Sequence, residues 1–187
     1  MIKGKNVYLR AVETKDIETL LSWRNIDTFR KNFREFRELN LNQQIDWFKG
    51  ISSSKNDFMF SIVDINNDEL IGACGLLYID WINRTADYSF YIGKDQLYID
   101  EIYAKDASNL LLGYGFNKLN LNKIWMELYE FDNMKINFFT NEFNFEVDGK
   151  LRQNCFEDGK YYDSLIISLL QSDFVFDSEK KDHKEET

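Results

Sequence analysis

Residues 58–92 read FMFSIVDINNDELIGACGLLYIDWINRTADYSFYI, and residues 106–119 read DASNLLLGYGFNKL. The first stretch is β-rich. Phe58 to Ile65 reads as one strand, Glu69 to Ile79 as a second and Thr85 to Ile92 as a third. Asn66-Asn67-Asp68 and Asp80 to Arg84 carry the polar residues of turns between them. Gly72 and Gly75 inside the second strand mark a bulge or a close backbone approach. The rhythm then changes: Ala107, Leu110, Leu111 and Tyr114 recur at helical spacing. Paired strands giving way to helices that alternate with strands are the pattern of a sheet covered by helices.

Working outward, Asn6 to Val12 alternates as a further strand, which makes an antiparallel meander with the three central ones. Thr14 can cap a helix whose face carries Ile17, Leu20, Leu21 and Arg24, flanked by Trp23. Asn25 to Leu39 is polar and aromatic, with Phe29, Phe33 and Phe36 read as packing residues. Asn40, with Gln43 three residues on, opens a second helix bearing Leu41, Ile45, Phe48 and Ile51. Toward the C-terminus, Lys123 to Phe131 reads as a strand, Asn133 to Glu142 as a helix and Phe145 to Leu151 as a strand. Asn154 to Lys160 reads as a hairpin loop and Tyr161 to Leu170 as a final apolar strand, long enough to offer a homodimer edge. One domain over residues 1–172 is expected, followed by a charged, flexible tail over residues 173–187.

Composition excludes several classes. The net charge of −9 leaves no basic stripe for nucleic acid or an anionic membrane surface. No apolar run reaches the length of a membrane span, and Met1 to Lys5 leads straight into a strand without an export signal, so a cytoplasmic location is expected. Cys74 and Cys155 lie far apart and read as free thiols. The single histidine, His183, sits in the charged tail. Catalytic triads and His-based zinc sites therefore lack their central residue. Neither a Walker loop nor a Gly-x-Gly-x-x-Gly turn is present. Acyl transfer from a thioester to an amine remains open. It needs two substrates held in attack geometry and an oxyanion met by backbone N–H groups, with no protein nucleophile.

Certain residues, in their order and spacing, resemble the GNAT family of N-acetyltransferases, and within it the RimJ/RimL-like branch. They include Val7-Tyr8-Leu9-Arg10-Ala11-Val12-Glu13 with Trp23-Arg24-Asn25, Glu69-Leu70-Ile71-Gly72, and Asn83-Arg84-Thr85-Ala86-Asp87. Further on come Leu110-Leu111-Leu112-x-Tyr114-x-Phe116, Asn133, Asn144-Phe145, and Asp158-Gly159-Lys160-Tyr161-Tyr162-Asp163. The resemblance implies an α/β (α+β) fold with a mixed, mostly antiparallel sheet of about seven strands and about four helices. It implies acetyl-CoA as co-substrate and no metal. The acceptor would be a small-molecule amine or an amino sugar, the latter from a thinner likeness at Trp23-Arg24-Asn25. The alternatives are a catalytically impaired binding or regulatory module and a protein N-terminal acetyltransferase.

The resemblance also implies a site. Pantetheine would pair with the strand end Tyr91-Ile92-Gly93. The pyrophosphate would meet the segment Ile102-Tyr103-Ala104-Lys105, at a helix N-terminus where N–H groups favour anions. Asn133 would touch the pantetheine arm. Asp87 is the candidate base; Trp23, Arg24, Asn25 and Arg34 are candidate acceptor contacts. Each has an ordinary reading too: Lys105 as a solvated helix-start residue, Asn133 as a cap, Asp87 as a salt-bridged carboxylate, the arginines as surface charge. Two departures from the family stand out. Its Gln/Arg-x-x-Gly-x-Gly/Ala loop is replaced by Ile99-Asp100-Glu101-Ile102-Tyr103-Ala104, with an acidic pair where phosphates should lie. Thr140 stands where a tyrosine usually protonates the CoA thiolate, and Tyr129 is the candidate substitute.

Overall fold

The computed structural model describes residues 1–176. The rest of the expected tail, His183 included, lies outside the described residues. Phe174 and Phe176, placed by sequence in that tail, meet the body: Phe174 rests on Phe116 at 5.1 Å between rings, and on Phe176 at 6.2 Å.

Among the described residues eight strands form one sheet in the order β1-β2-β3-β4-β5-β6-β8-β7. They are β1 Ile2–Lys3, β2 Val7–Ala11, β3 Phe58–Asp64, β4 Leu70–Asp80, β5 Thr85–Ile92, β6 Lys123–Tyr129, β7 Glu146–Glu157 and β8 Lys160–Leu170. Strands β2 to β5 make the antiparallel meander that the alternation predicts. The sheet has one strand more than expected because β1, only two residues long, pairs with β2. The expected hairpin loop over 154–160 is much shorter. Pairing continues to Glu157↔Lys160, and the turn is Asp158-Gly159, with φ of 49° and 76°. An Asp-Gly pair with two positive φ values is the tight turn that matches strand twist. The final strand is also not an edge. β8 is paired to β6 on one side and β7 on the other, so its apolar residues fill the sheet interior and offer no dimer edge.

Among the described residues five α-helices flank the sheet: α1 Ile17–Arg24, α2 Asp27–Arg30, α3 Leu41–Ser53, α4 Tyr103–Gly113 and α5 Asn133–Phe143. The unexpected α2 is a single turn that buries Phe29 against Tyr91 and Tyr98. Asn40 and Gln43 close the expected capping box of α3, at 3.0 and 2.9 Å. The large core lies where α4 and α5 cover one sheet face, with Leu111, Leu112, Phe116 and Phe139 at its centre. A smaller one lies under α1 to α3 on the other face. Among the described residues, no helix is long and apolar enough to cross a membrane.

The first helix is pinned by one buried carboxylate. Asp16, in the turn before α1, is 2% exposed. It accepts both Arg10 guanidinium nitrogens at 2.6 and 2.8 Å, the Glu13 N–H at 2.9 Å and the Ser61 hydroxyl at 2.8 Å. Burial pushes this carboxyl up, and the bonds from Arg10, Glu13 and Ser61 together outweigh burial and hold it below its ordinary value. β2, β3 and the start of α1 thus meet at one ion. Asp16→Asn strands the Arg10 charge and should cost about 3 kcal/mol of unfolding free energy. Because the folded carboxyl titrates low, Asp16 contributes fully above its unfolded pKa of about 4 and its contribution fades as pH falls through the folded value. Urea melts of both proteins from pH 7 downward should show the gap closing.

Candidate active site

β5 and β6 are parallel neighbours for only a short distance. Their pairs run Thr85↔Lys123, Ala86↔Ile124 and Asp87↔Trp125, and stop. Beyond Asp87 the strands part, and the opening between them leads into a cavity of about 550 Å³. Its walls include Tyr88, Phe90, Met126, Leu128 and Phe139, and α3 supplies Gln44 and Trp47. This size, with apolar walls and charged groups along them, suits an organic ligand.

Asp87 stands where the strands separate. It is 5% exposed, and its Oδ2 accepts Arg34 Nη1 at 2.6 Å. Burial pushes its carboxyl up, while Arg34 pulls the other way without cancelling the effect. Glu127, on β6, lies 3.8 Å from Arg34 Nε and accepts from Ser164 and Asn154. Lys135, on α5, is the least expected member: its side chain is buried, with Nζ 4.6 Å from the Tyr98 ring centre and 5.6 Å from that of Phe33. Burial pulls this ammonium down to about 8, and the Arg24 charge adds to the fall, against Asp132 and Asp87. The sequence did carry a signal for it. Lys135 shares the i, i+3, i+4 face with Phe138 and Phe139, so the apolar stripe of α5 carries a lysine.

A family model described as an acetyltransferase (GNAT) domain matches residues 9–166. The chain belongs to the GNAT acetyltransferase family. The spermidine N(1)-acetyltransferase of Vibrio cholerae is 29% identical over 91% of this chain and 96% of its own length. The uncharacterized N-acetyltransferase p20 of Bacillus licheniformis is 28% identical over 89% of this chain and 94% of its own. In three dimensions the chain superposes on a spermidine N-acetyltransferase from Vibrio cholerae, solved with CoA and spermine, with a TM-score of 0.82. That match covers 90% of this chain and 97% of the other at 23% identity, and shows the fold. As a GNAT acetyltransferase the chain takes acetyl-CoA as its acetyl donor.

Against the parts expected of a GNAT acetyltransferase, the strand end is shifted. Ile92 exchanges both backbone hydrogen bonds with Tyr98, at 2.9 and 2.8 Å, and the Gly93 N–H is bonded to Ile71. Trp23 packs over Gly93 so closely that a Cβ there would fall 1.9 Å from its ring. By the two-residue repeat of a strand, Phe90 turns its N–H and C=O to the same edge as Ile92, beyond the last β5–β6 pair. Phe90 thus turns its backbone toward the opening, whereas Ile92 and Gly93 have backbone partners. The Tyr91 side chain still lines the cavity.

The helix start differs more. Asp100 accepts the N–H groups of Ile102, Tyr103 and Ala104 at 3.0, 2.9 and 2.7 Å. Its carboxylate thus holds the place of a phosphate at the α4 N-terminus, where the helix dipole favours negative charge. Tyr103 donates to Asp64, and Lys105 Nζ bonds Glu142 on α5 at 2.5 Å. Asn133 begins α5 exposed, while Asp132 caps that helix through the Lys135 N–H and accepts Tyr98 at 2.5 Å.

Neither candidate acid reaches the cavity. Thr140 donates back to the Ile136 carbonyl in its own helix at 2.8 Å, as mid-helix threonines do. Tyr129 lines an adjoining groove beside Cys155 and Phe156, which shares Phe33 and Arg34 with the cavity, and burial pushes its hydroxyl up. Of the four acceptor candidates, Arg24 and Arg34 line the cavity. Asn25 instead spends its amide on the Leu39 backbone at 2.8 and 2.9 Å, closing the loop over residues 25–39. Trp23 packs edge-on against Tyr91, with ring centres 6.5 Å apart.

Two substitutions test these electrostatics. Asp100→Ala should cost about 1 kcal/mol of stability, as loss of a cap does, and tighten CoA binding by leaving three amides to the phosphates. Lys135→Met should stabilise the protein by about 2–3 kcal/mol at neutral pH. Its folded pKa is depressed, so the burden of the buried charge is full below about 8 and the gain of the variant shrinks as pH climbs toward 10.5. Urea melts from pH 7 to pH 10 read that slope.

Proposed function

We propose that the chain transfers the acetyl group of acetyl-CoA to the primary amine of a small molecule held in the cavity between β5 and β6, with Asp87 as the base. The observation that carries this reading is the parting of β5 and β6 at Asp87, which puts a buried carboxylate at the head of a ligand-sized opening. The apolar walls Phe90, Met126 and Leu128 fit a thin pantetheine arm. The capped start of α4 does not offer phosphates free amides while Asp100 stays bonded there. Small-amine acceptors are supported by the spermidine N(1)-acetyltransferase of Vibrio cholerae. An amino sugar is a narrower form of the same reading. Placement in the RimJ/RimL-like branch rests on the motifs around Trp23-Arg24-Asn25 and Asn83-Arg84-Thr85-Ala86-Asp87.

Acetyl-CoA supplies a carbonyl that the amine attacks directly and a thiolate that leaves. Asp87 takes the ammonium proton from the acceptor, and burial, by raising its carboxyl, makes it a stronger base. Arg34 holds that carboxylate and limits its travel. A thiolate leaves readily, so a missing tyrosine at position 140 slows the reaction without stopping it.

Calorimetry with acetyl-CoA and a thiol-release assay against a panel of amines test the proposal. Asp87→Asn should lower kcat by about 10²–10³-fold with CoA binding intact. The acid limb of the wild-type rate profile should lie above the usual carboxylate range, since a base with a raised pKa loses its charge early. Unchanged turnover in Asp87→Asn would remove Asp87 from the role.

A further inference from the structure

The cavity's charges are unevenly satisfied. Its lining carboxylates are Glu35, Asp46, Asp87 and Glu127, and each has a cationic partner. Glu35 is gripped by Arg37 at 2.7 Å, Asp46 by Lys49 at 3.1 Å, and Asp87 and Glu127 by Arg34 at 2.6 and 3.8 Å. Two of the lining cations are different. Among the described residues, neither the Lys135 ammonium nor the Arg24 guanidinium makes a hydrogen bond or an ion pair. Both lie against the ring of Phe33, Arg24 Cζ at 4.8 Å and Lys135 Nζ at 5.6 Å from its centre.

Lys135 is 7% exposed and Gln44 3%; both line the cavity, and the Gln44 amide likewise has no hydrogen bond among the described residues. Two like charges at one aromatic ring repel each other, and a buried charge with no bonded counter-ion is costly. Asp132 and Asp87 act on Lys135 through space without bonding its ammonium: the Asp132 carboxylate accepts from the Tyr98 hydroxyl and the Asp87 carboxylate from Arg34. An oxyanion placed between Lys135 and Arg24 would satisfy both through charge-assisted bonds.

We infer that Lys135 and Arg24 form an anion subsite, and that the acceptor amine carries a carboxylate or phosphate which they hold. The inference rests on the acetyl-transfer reading and narrows it. A polycation would place its further ammonium groups against two positive charges that have no bonded partner among the described residues, so the subsite disfavours polyamines. The paired Asp87 would face the amine end of such an acceptor while the cations at Phe33 take the acidic end.

Inorganic phosphate is the simplest probe. Calorimetric titration of the full chain should give saturable binding in the low millimolar range, and that binding should persist with CoA saturating, because the subsite belongs to the acceptor. Lys135→Met and Arg24→Gln should each weaken it about tenfold or more, the size expected of one lost charge-assisted bond. Absence of saturable binding would overturn the inference. So would binding that both variants leave unchanged, an adventitious ion only. Expulsion of phosphate by CoA would also overturn it, since the anion would then be the cofactor's own. Failure of CoA itself to bind would instead sink the acetyl-transfer reading, so the two failures are told apart in one experiment.

Discussion

The parting of β5 from β6 after Asp87 is the constraint on which the site depends. Parallel neighbours normally continue side by side, and their shared hydrogen bonds would close the sheet. Here the pairing lasts from Thr85 to Asp87, and β6 then stays with β8 along its whole length, from Lys123↔Leu170 to Tyr129↔Ser164. β5 stays with β4 out to Ile92. The sheet is held firmly on both sides of a gap that neither strand can close. Unpaired backbone at the gap needs a partner, which the proposed pantetheine arm would supply through its amides.

The charges around this gap show a balance between stability and use. Asp16 is a buried carboxylate with every bond satisfied, and it fixes the element that delivers Arg24. Lys135 is a buried ammonium that rests on ring faces and, among the described residues, has no hydrogen bond to its Nζ, and it lies in the cavity. Buried, unsatisfied charge persists where a ligand completes it. Asp100 is the opposite case: a carboxylate filling the anion position of α4 so that the helix start is satisfied without any ligand. Phosphate binding there competes with a residue of the chain itself.

Most of the fold was legible because its signals are local. The alternation in residues 58–92, the helical spacing from Ala107 to Tyr114 and the box at Asn40 and Gln43 each depend on neighbours in sequence. What escaped depends on distance or on small sums. A two-residue β1 carries no period, and α2 is a single turn whose only apolar anchor is Phe29. Asp158-Gly159 was a readable hairpin signal, but the polar residues before it masked how far β7 runs. For the site, Asp87, Arg24, Arg34 and Tyr91 were named from sequence and do line the cavity. Thr140 and Tyr129 do not, because a mid-helix hydroxyl satisfies itself on its own backbone and β6 carries Tyr129 toward another groove. Lys135 was missed because a lysine reads as solvated until its face of the helix is counted.

The central claim, that donor binding uses the β5 edge opened at Asp87, is tested most directly by a crystal structure of the chain with CoA. In that structure the pantetheine arm should lie between β5 and β6, with an amide bonded to the Phe90 backbone and the Ile92–Tyr98 pair intact. CoA bound outside this opening, or β5 and β6 zipped together past Asp87 with CoA present, would contradict it.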